Sequence, residues 1–125
     1  MDEDALSNVI IGAAIEVHRH LGPGLLESAY EECLAREFDL RQVAYERQKT
    51  IPLMYKGVAV GDGFRLDFLV GSSVVVEVKA VTELAPIHEA QLITYLKLTN
   101  CKLGLLLNFN APLMRDGIKR MVLGL

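Results

Sequence analysis

The sequence predicts an α/β fold, a mixed β-sheet flanked by helices. Three observations carry this expectation. The chain opens on two segments of helical periodicity, continues through short runs of strand character, and ends on a strand–helix–strand unit. In order, the elements read α-α-β-β-β-β-α-β. With 125 residues, 51% of them hydrophobic, the chain suits a single domain spanning 1–125 with a largely aliphatic core.

The first helix is "ALSNVIIGAAIEVHRHLG". Leu6, Val9, Ile10, Ala13, Val17 and Leu21 recur at three- and four-residue steps, and Gly22-Pro23-Gly24 stops it. The second is "LLESAYEECLAREF", with an apolar arc of Leu26, Tyr30, Cys33, Leu34 and Phe38. The runs "AYERQK", "IPLMYKG" and "GFRLDFLV" read as strands of an antiparallel meander, and "VVVEVKAV", residues 74–81, as the next strand. "APIHEAQLITYLKLTN" reads as a third helix with Pro86 in its first turn. "CKLGLLLNF" is the continuous apolar run of a strand buried on both faces. Strand 74–81, helix 86–99 and strand 103–108 make a right-handed βαβ unit with parallel strands. The last run, "GIKRMVL", is an edge strand or a helix turn.

Composition narrows the function classes. The formal charge is −3, which excludes a strongly basic nucleic-acid coat protein but not an enzyme whose acidic metal site offsets basic surface elsewhere. The basic residues are scattered, so the chain is expected to hold free DNA only modestly without a bridging metal. Cys33 and Cys101 lack C-x-x-C spacing, which suits free thiols in a reduced, cytoplasmic setting. The acidic start "MDEDALSN" is no targeting peptide, and the apolar runs are too short to span a membrane.

The informative residues are charges on apolar strands. In "GFRLDFLV", alternation puts Phe64, Leu66, Phe68 and Val70 on one face and Arg65, Asp67 and Leu69 on the other. In "VVVEVKAV", Val75, Glu77, Lys79 and Val81 share a face that is half apolar. An ionised group on a covered face is costly unless paired or bound to metal. A three-residue loop, Gly71-Ser72-Ser73, pairs Val70 with Val74 and sets Asp67 opposite Glu77, with carboxylates ~5 Å apart. A divalent cation between them removes their repulsion. A two-residue loop would put them on opposite faces.

Two helices add polar residues. Glu27 falls inside the apolar arc of the second helix, as a site acid or as a first-turn acid complementing the helix dipole. On the third helix Leu84, Ile87, His88, Gln91, Tyr95 and Leu98 form one stripe, with Gln91 and Tyr95 four apart. They serve a site, or are a backbone-bonded Gln and a Tyr at the core rim. Leu92, Ile93 and Leu96 point elsewhere, toward core under the terminal segment or toward a homo-oligomer interface.

Taken together, Glu27, Asp67, Glu77-Val78-Lys79 and Gln91-x-x-x-Tyr95, in that order, resemble the PD-(D/E)xK nuclease superfamily and its RecB-like exonuclease branch. "GLLESAY", Gly24 to Tyr30, is similar to the G-x-x-E-x-x-Y string of the GxxExxY proteins. The Pro of the superfamily's Pro-Asp is Leu66 here. The resemblance implies a restriction-endonuclease-like core and a Mg²⁺- or Mn²⁺-dependent nuclease acting on nucleic acid, expected to be DNA attacked from its ends. It implies Asp67, Glu77 and the Val78 carbonyl as metal ligands, with Glu27 assisting directly or through water. Lys79 would orient or deprotonate the attacking water; an ion pair with Asp67 or Glu77 is its plainer role. Gln91 and Tyr95 would position the scissile strand or tie down Lys79. Arg65, read as sharing a face with Asp67, is expected to contact phosphate, as a substrate-positioning residue, or to brace the acids. A non-catalytic nuclease-like module that binds nucleic acid or a protein partner is the alternative.

Overall fold

The computed structural model describes residues 1–124. Helix α1 (Glu3–Leu21) starts where the Asp2 carboxylate accepts the Ala5 N–H at 2.8 Å, and it ends at Gly22, which has φ 67°. Helix α2 (Glu27–Leu40) follows a short turn. Strand β1 (Tyr45–Ile51) leads to a hairpin of two two-residue strands, β2 (Met54–Tyr55) and β3 (Val58–Ala59). Then come β4 (Phe64–Val70), β5 (Val74–Lys79), helix α3 (Pro86–Thr99) and β6 (Leu103–Asn108). A 3₁₀ turn (Met114–Gly117) and strand β7 (Ile118–Val122) complete the chain.

Five strands form one mixed sheet in the order β1-β4-β5-β6-β7. β5 and β6 are parallel, joined through α3; the other neighbours are antiparallel. The interior strand β6 is buried along its whole length, as its unbroken apolar run requires. Helices α1 and α2 cover one face, where Ile10, Leu34 and Phe38 pack on Phe68, Val76 and Leu105. Helix α3 covers the other, where Leu92 and Leu96 pack on Leu66, Val75 and Leu106. A Cβ at Gly104 would lie 2.8 Å from Leu92 Cδ1, so the glycine lets α3 sit close to the sheet. Cys33 and Cys101 are both free thiols. Among the described residues no helix is long and apolar enough to cross a membrane.

Three expectations change in detail, and one open alternative is resolved. "IPLMYKG" is not a strand of the main sheet; it begins a separate hairpin. Lys56 (φ 49°) and Gly57 (φ 84°) turn the chain back after two residues, and both have the positive φ that a tight hairpin turn requires. "GIKRMVL" contains the edge strand β7.

The strict alternation expected along β4 breaks at Asp67. Phe64 and Leu66 pack beneath α3, whereas Phe68 and Val70 pack beneath α1 and α2. The β1–β4 ladder pairs Arg47 with Phe68 and Lys49 with Leu66, but not Gln48 with Asp67. Gln48 has φ 52°, so the pair of strands twists there and the side chains beyond change face.

On α3 the core face is Leu92 and Leu96, which are fully buried; of the expected stripe, Leu84 and Tyr95 pack at the margin of that core, whereas Ile87 and Leu98 are 69% and 43% exposed. Gln91 is exposed as well. Close approach at Gly104 rotates the Leu92 side inward. The second apolar surface of this helix is therefore core.

Candidate active site

The loop between β4 and β5 is Gly71-Ser72-Ser73, and Val70 pairs with Val74. Gly71 (φ 57°) and Ser72 (φ 59°) make the turn, with the Leu6 side chain packed so closely on Gly71 that a Cβ there would lie 2.5 Å from Leu6 Cδ2. This is the register that sets Asp67 across from Glu77 on the neighbouring strand.

The main-chain ladder of β4 and β5 runs from Val70–Val74 to Phe68–Val76 and then stops. Beyond it the side chains take over. The Asp67 N–H donates to Glu77 Oε2 at 2.8 Å, and the Val78 N–H donates to Asp67 Oδ2 at 2.8 Å. Each carboxylate thus caps the neighbouring strand where the strands part. Because the N–H and C=O of one strand residue point the same way, the Val78 carbonyl also faces the gap.

Both acids are expensive to ionise in this gap. Glu77 is 4% exposed, and burial, reinforced by the Asp67 charge, pushes its carboxyl up to about 8. Asp67 is raised too, first by burial and then by Glu31, against the Val78 N–H, Lys79 and Gln48. Half-buried Lys79 lowers both carboxyls by its field, yet forms no salt bridge among the described residues. The plainer role expected for it, an ion pair with Asp67 or Glu77, is therefore absent.

Glu27 is the first residue of α2 and is exposed. Its carboxyl is raised by partial burial, with Lys79 opposing and Asp67 and Glu31 adding to the shift, so it lies within electrostatic reach of the pair. Tyr95 also belongs to this neighbourhood. Burial raises its phenol, and Glu77 and Asp67 raise it further. Its ring stacks on Phe64 at 4.7 Å. Gln91 lies one turn away from Tyr95 on the exposed side of α3. Arg65 is exposed in an open groove of about 420 Å³ with Thr50, Asp62, Gly63 and Phe64, and it forms no salt bridge among the described residues. The structure therefore brings Asp67 and Glu77 together, with Lys79, Glu27 and Tyr95 within electrostatic reach of them, and leaves Arg65 and Gln91 exposed.

Further residues build this place. The Gln48 amide donates to Glu31 and to Asp67 Oδ1 (3.4 Å), and Arg47 forms a salt bridge to Glu31 at 3.4 Å. Gln48 stands opposite Asp67 by register, a relation that only the β1–β4 pairing reveals. Asn108 is buried at the end of β6. Its Oδ1 accepts the Val81 N–H (3.0 Å), and its Nδ2 donates to the Val81 carbonyl (3.0 Å). Asn110 Nδ2 donates to that same carbonyl (3.3 Å), and its Oδ1 accepts the Gly24 N–H (3.1 Å). Two asparagines closing an apolar strand, "NFN", are the sequence signal for this brace. It fixes the segment after Glu77-Val78-Lys79 to the turn before Glu27.

Fully buried Tyr30 holds that turn from below. Its hydroxyl donates to the Gly22 carbonyl (2.6 Å) and accepts the Leu25 N–H (3.0 Å), while its ring stacks on Phe109 at 4.8 Å. The Gly24, Glu27 and Tyr30 spacing therefore has a physical meaning. The glycine (φ 104°) makes the turn, Tyr30 pins it, and Glu27 is delivered toward the acids.

Among the described residues, no group of three or more His, Cys, Asp and Glu side chains is assembled to hold a metal. The oxygen donors at the gap are instead two carboxylates that repel each other and a main-chain carbonyl beside them.

Comparison with curated proteins and with solved structures gives no match. The five-strand mixed sheet flanked by helices is consistent with a restriction-endonuclease-like fold. The sequence matches the family model of the PD-(D/E)XK nuclease superfamily over residues 4–121, and the chain belongs to that superfamily.

Proposed function

We propose that this protein is a divalent-metal-dependent nuclease that hydrolyses phosphodiester bonds in DNA, working from strand ends in the manner of the RecB-like branch and the GxxExxY proteins that its motifs resemble. One observation carries the reading. Asp67 and Glu77 oppose each other in a covered gap, costly to ionise, while Lys79 stands near them without a salt bridge. A purely structural acid pair would be neutralised by the cation beside it.

The residues fit Mg²⁺ or Mn²⁺. Mg²⁺ takes hard oxygen donors, is commonly held by one or two carboxylates, and keeps waters and substrate oxygens in its remaining positions. Asp67, Glu77 and the Val78 carbonyl would hold it, with Glu27 assisting directly or through water. When bound, the ion supplies an activated water and relief of charge on the phosphate. The chain's own residues do the rest. Lys79 orients or deprotonates the attacking water and balances the charge that grows on the phosphate. Tyr95 and Gln91 position the scissile strand, and Arg65 reaches a phosphate farther along the sheet edge. The surface carries no dense basic run, so affinity for DNA without metal is expected to be modest.

The test is cleavage of linear and closed-circular DNA, single- and double-stranded, with Mn²⁺, Mg²⁺ or EDTA, beside Lys79→Ala. Metal-dependent loss of linear DNA alone, absent in the variant, is the expected result. Binding without cleavage under every condition would instead describe a non-catalytic module.

A further inference from the structure

Helix α3 starts in an unusual way. Its N-cap is Ala85, which has no side-chain oxygen to cap with. The Ala85 amide is satisfied from inside the helix, donating to Nδ1 of His88 at 2.9 Å. A backbone amide can only donate. Nδ1 is therefore a lone-pair acceptor, and the ring proton of neutral His88 is on Nε2.

That leaves a fixed N–H donor with no partner among the described residues. His88 is half-buried on the stripe of α3 that continues through Gln91 and Tyr95. The ring lies within reach of Glu27, and farther along the stripe Tyr95 lies in the field of Glu77 and Asp67, so the stripe runs along the acids. A neutral donor there suits an anionic oxygen. With Nδ1 engaged by the Ala85 N–H, the ring meets anything that docks there through its Nε2–H.

We propose that His88 is a substrate-binding residue whose Nε2–H donates a hydrogen bond to a non-bridging phosphate oxygen of the bound strand, between Glu27 and Gln91. This rests on the nuclease reading above. The backbone of α3 selects the tautomer, so the start of the helix and the hold on the phosphate are one device.

Two variants separate this from a purely structural cap. His88→Ala removes both functions. Ala85→Ser with His88→Ala gives the helix a normal N-cap side chain while leaving the phosphate donor missing. Both are expected to lose about 10- to 100-fold in kcat/KM, the range for a hydrogen bond to a charged group. The double variant should melt close to wild type. His88→Gln keeps an acceptor and an N–H on one side chain, so it should recover part of the loss.

Long-range ¹H–¹⁵N spectra of the wild-type imidazoles read the tautomer without any turnover, and they should show the His88 proton on Nε2. The proposal is overturned if that proton is on Nδ1, or if the double variant cleaves within about twofold of wild type. A wild-type protein that cleaves nothing would fail at the nuclease reading first. That failure is visible before any variant is made, and this proposal would fall with it.

Discussion

The β4–β5 hairpin has two halves held by different chemistry. From Val70–Val74 to Phe68–Val76 the strands are joined by main-chain hydrogen bonds beneath apolar side chains. From Asp67 and Glu77 onward they are joined by two carboxylates, each capping the other strand's backbone. The first half carries no ionisable side chain and no metal-binding group. The second is held by ionisable groups that would be better solvated elsewhere. The proposed site thus lies where the sheet stops satisfying itself, beside the part that packs as ordinary core.

The sharpest way to break this comparison is in the second half. Glu77→Ala or Lys79→Ala is expected to reduce cleavage by on the order of 10³-fold or more while leaving the circular dichroism spectrum unchanged. Variants that cut linear DNA as fast as wild type would remove the site assignment.

The first half should respond in the opposite sense, in stability rather than in selectivity for metal. Leu92→Ala opens a cavity beneath α3 and is expected to cost about 2–5 kcal/mol in urea unfolding. That loss should be the same with and without Mg²⁺, apart from the shift that metal binding gives to both proteins.

A pH series sharpens the contrast. The Glu77 carboxyl is raised from 4.5 to about 8 in the folded protein, so the folded state binds more protons than the unfolded state between those values. The stability that this confers is complete below pH 4.5 and is lost as pH rises through about 8. Metal-free thermal melts in EDTA should therefore decline over that window, and Glu77→Gln should flatten the decline. At pH 8, Mg²⁺ at about 100 times its Kd should restore about 2.7 kcal/mol in wild type, and much less in Asp67→Asn.

The smallest effect is expected at the turn before Glu27. Tyr30→Phe removes a hydroxyl that makes two hydrogen bonds, and should cost about 1 kcal/mol. If its cleavage rate falls more than its melting temperature suggests, the turn is aiming Glu27 as well as packing.

Most of the architecture was legible because it follows from periodicity. Helical spacing, a strand–helix–strand unit and one all-apolar run fix the helices and the parallel pair. The register of Asp67 against Glu77 turned on a loop of two or three residues, and the structure has three. What was not legible depends on contacts between segments distant in sequence. The face of α3 is decided by a glycine on β6, and the change of face along β4 is decided by the backbone of Gln48 on β1. The Asn108–Asn110 brace likewise joins three segments that no local pattern connects. For the same reason, the acids and the lysine were visible as charges in apolar strands. Gln48 and the asparagines looked like ordinary polar residues at strand margins.

Gln48 bears on more than the direction of Asp67. Strand β1 is an outer edge of the sheet, where unpaired main-chain groups invite another chain to add a strand and begin aggregation. A left-handed residue in the middle of that edge interrupts the regular row of donors and acceptors, and Glu46, Arg47 and Lys49 surround the interruption with charge. The kink beside Asp67 thus also breaks up the edge on which a neighbouring molecule would have to add a strand.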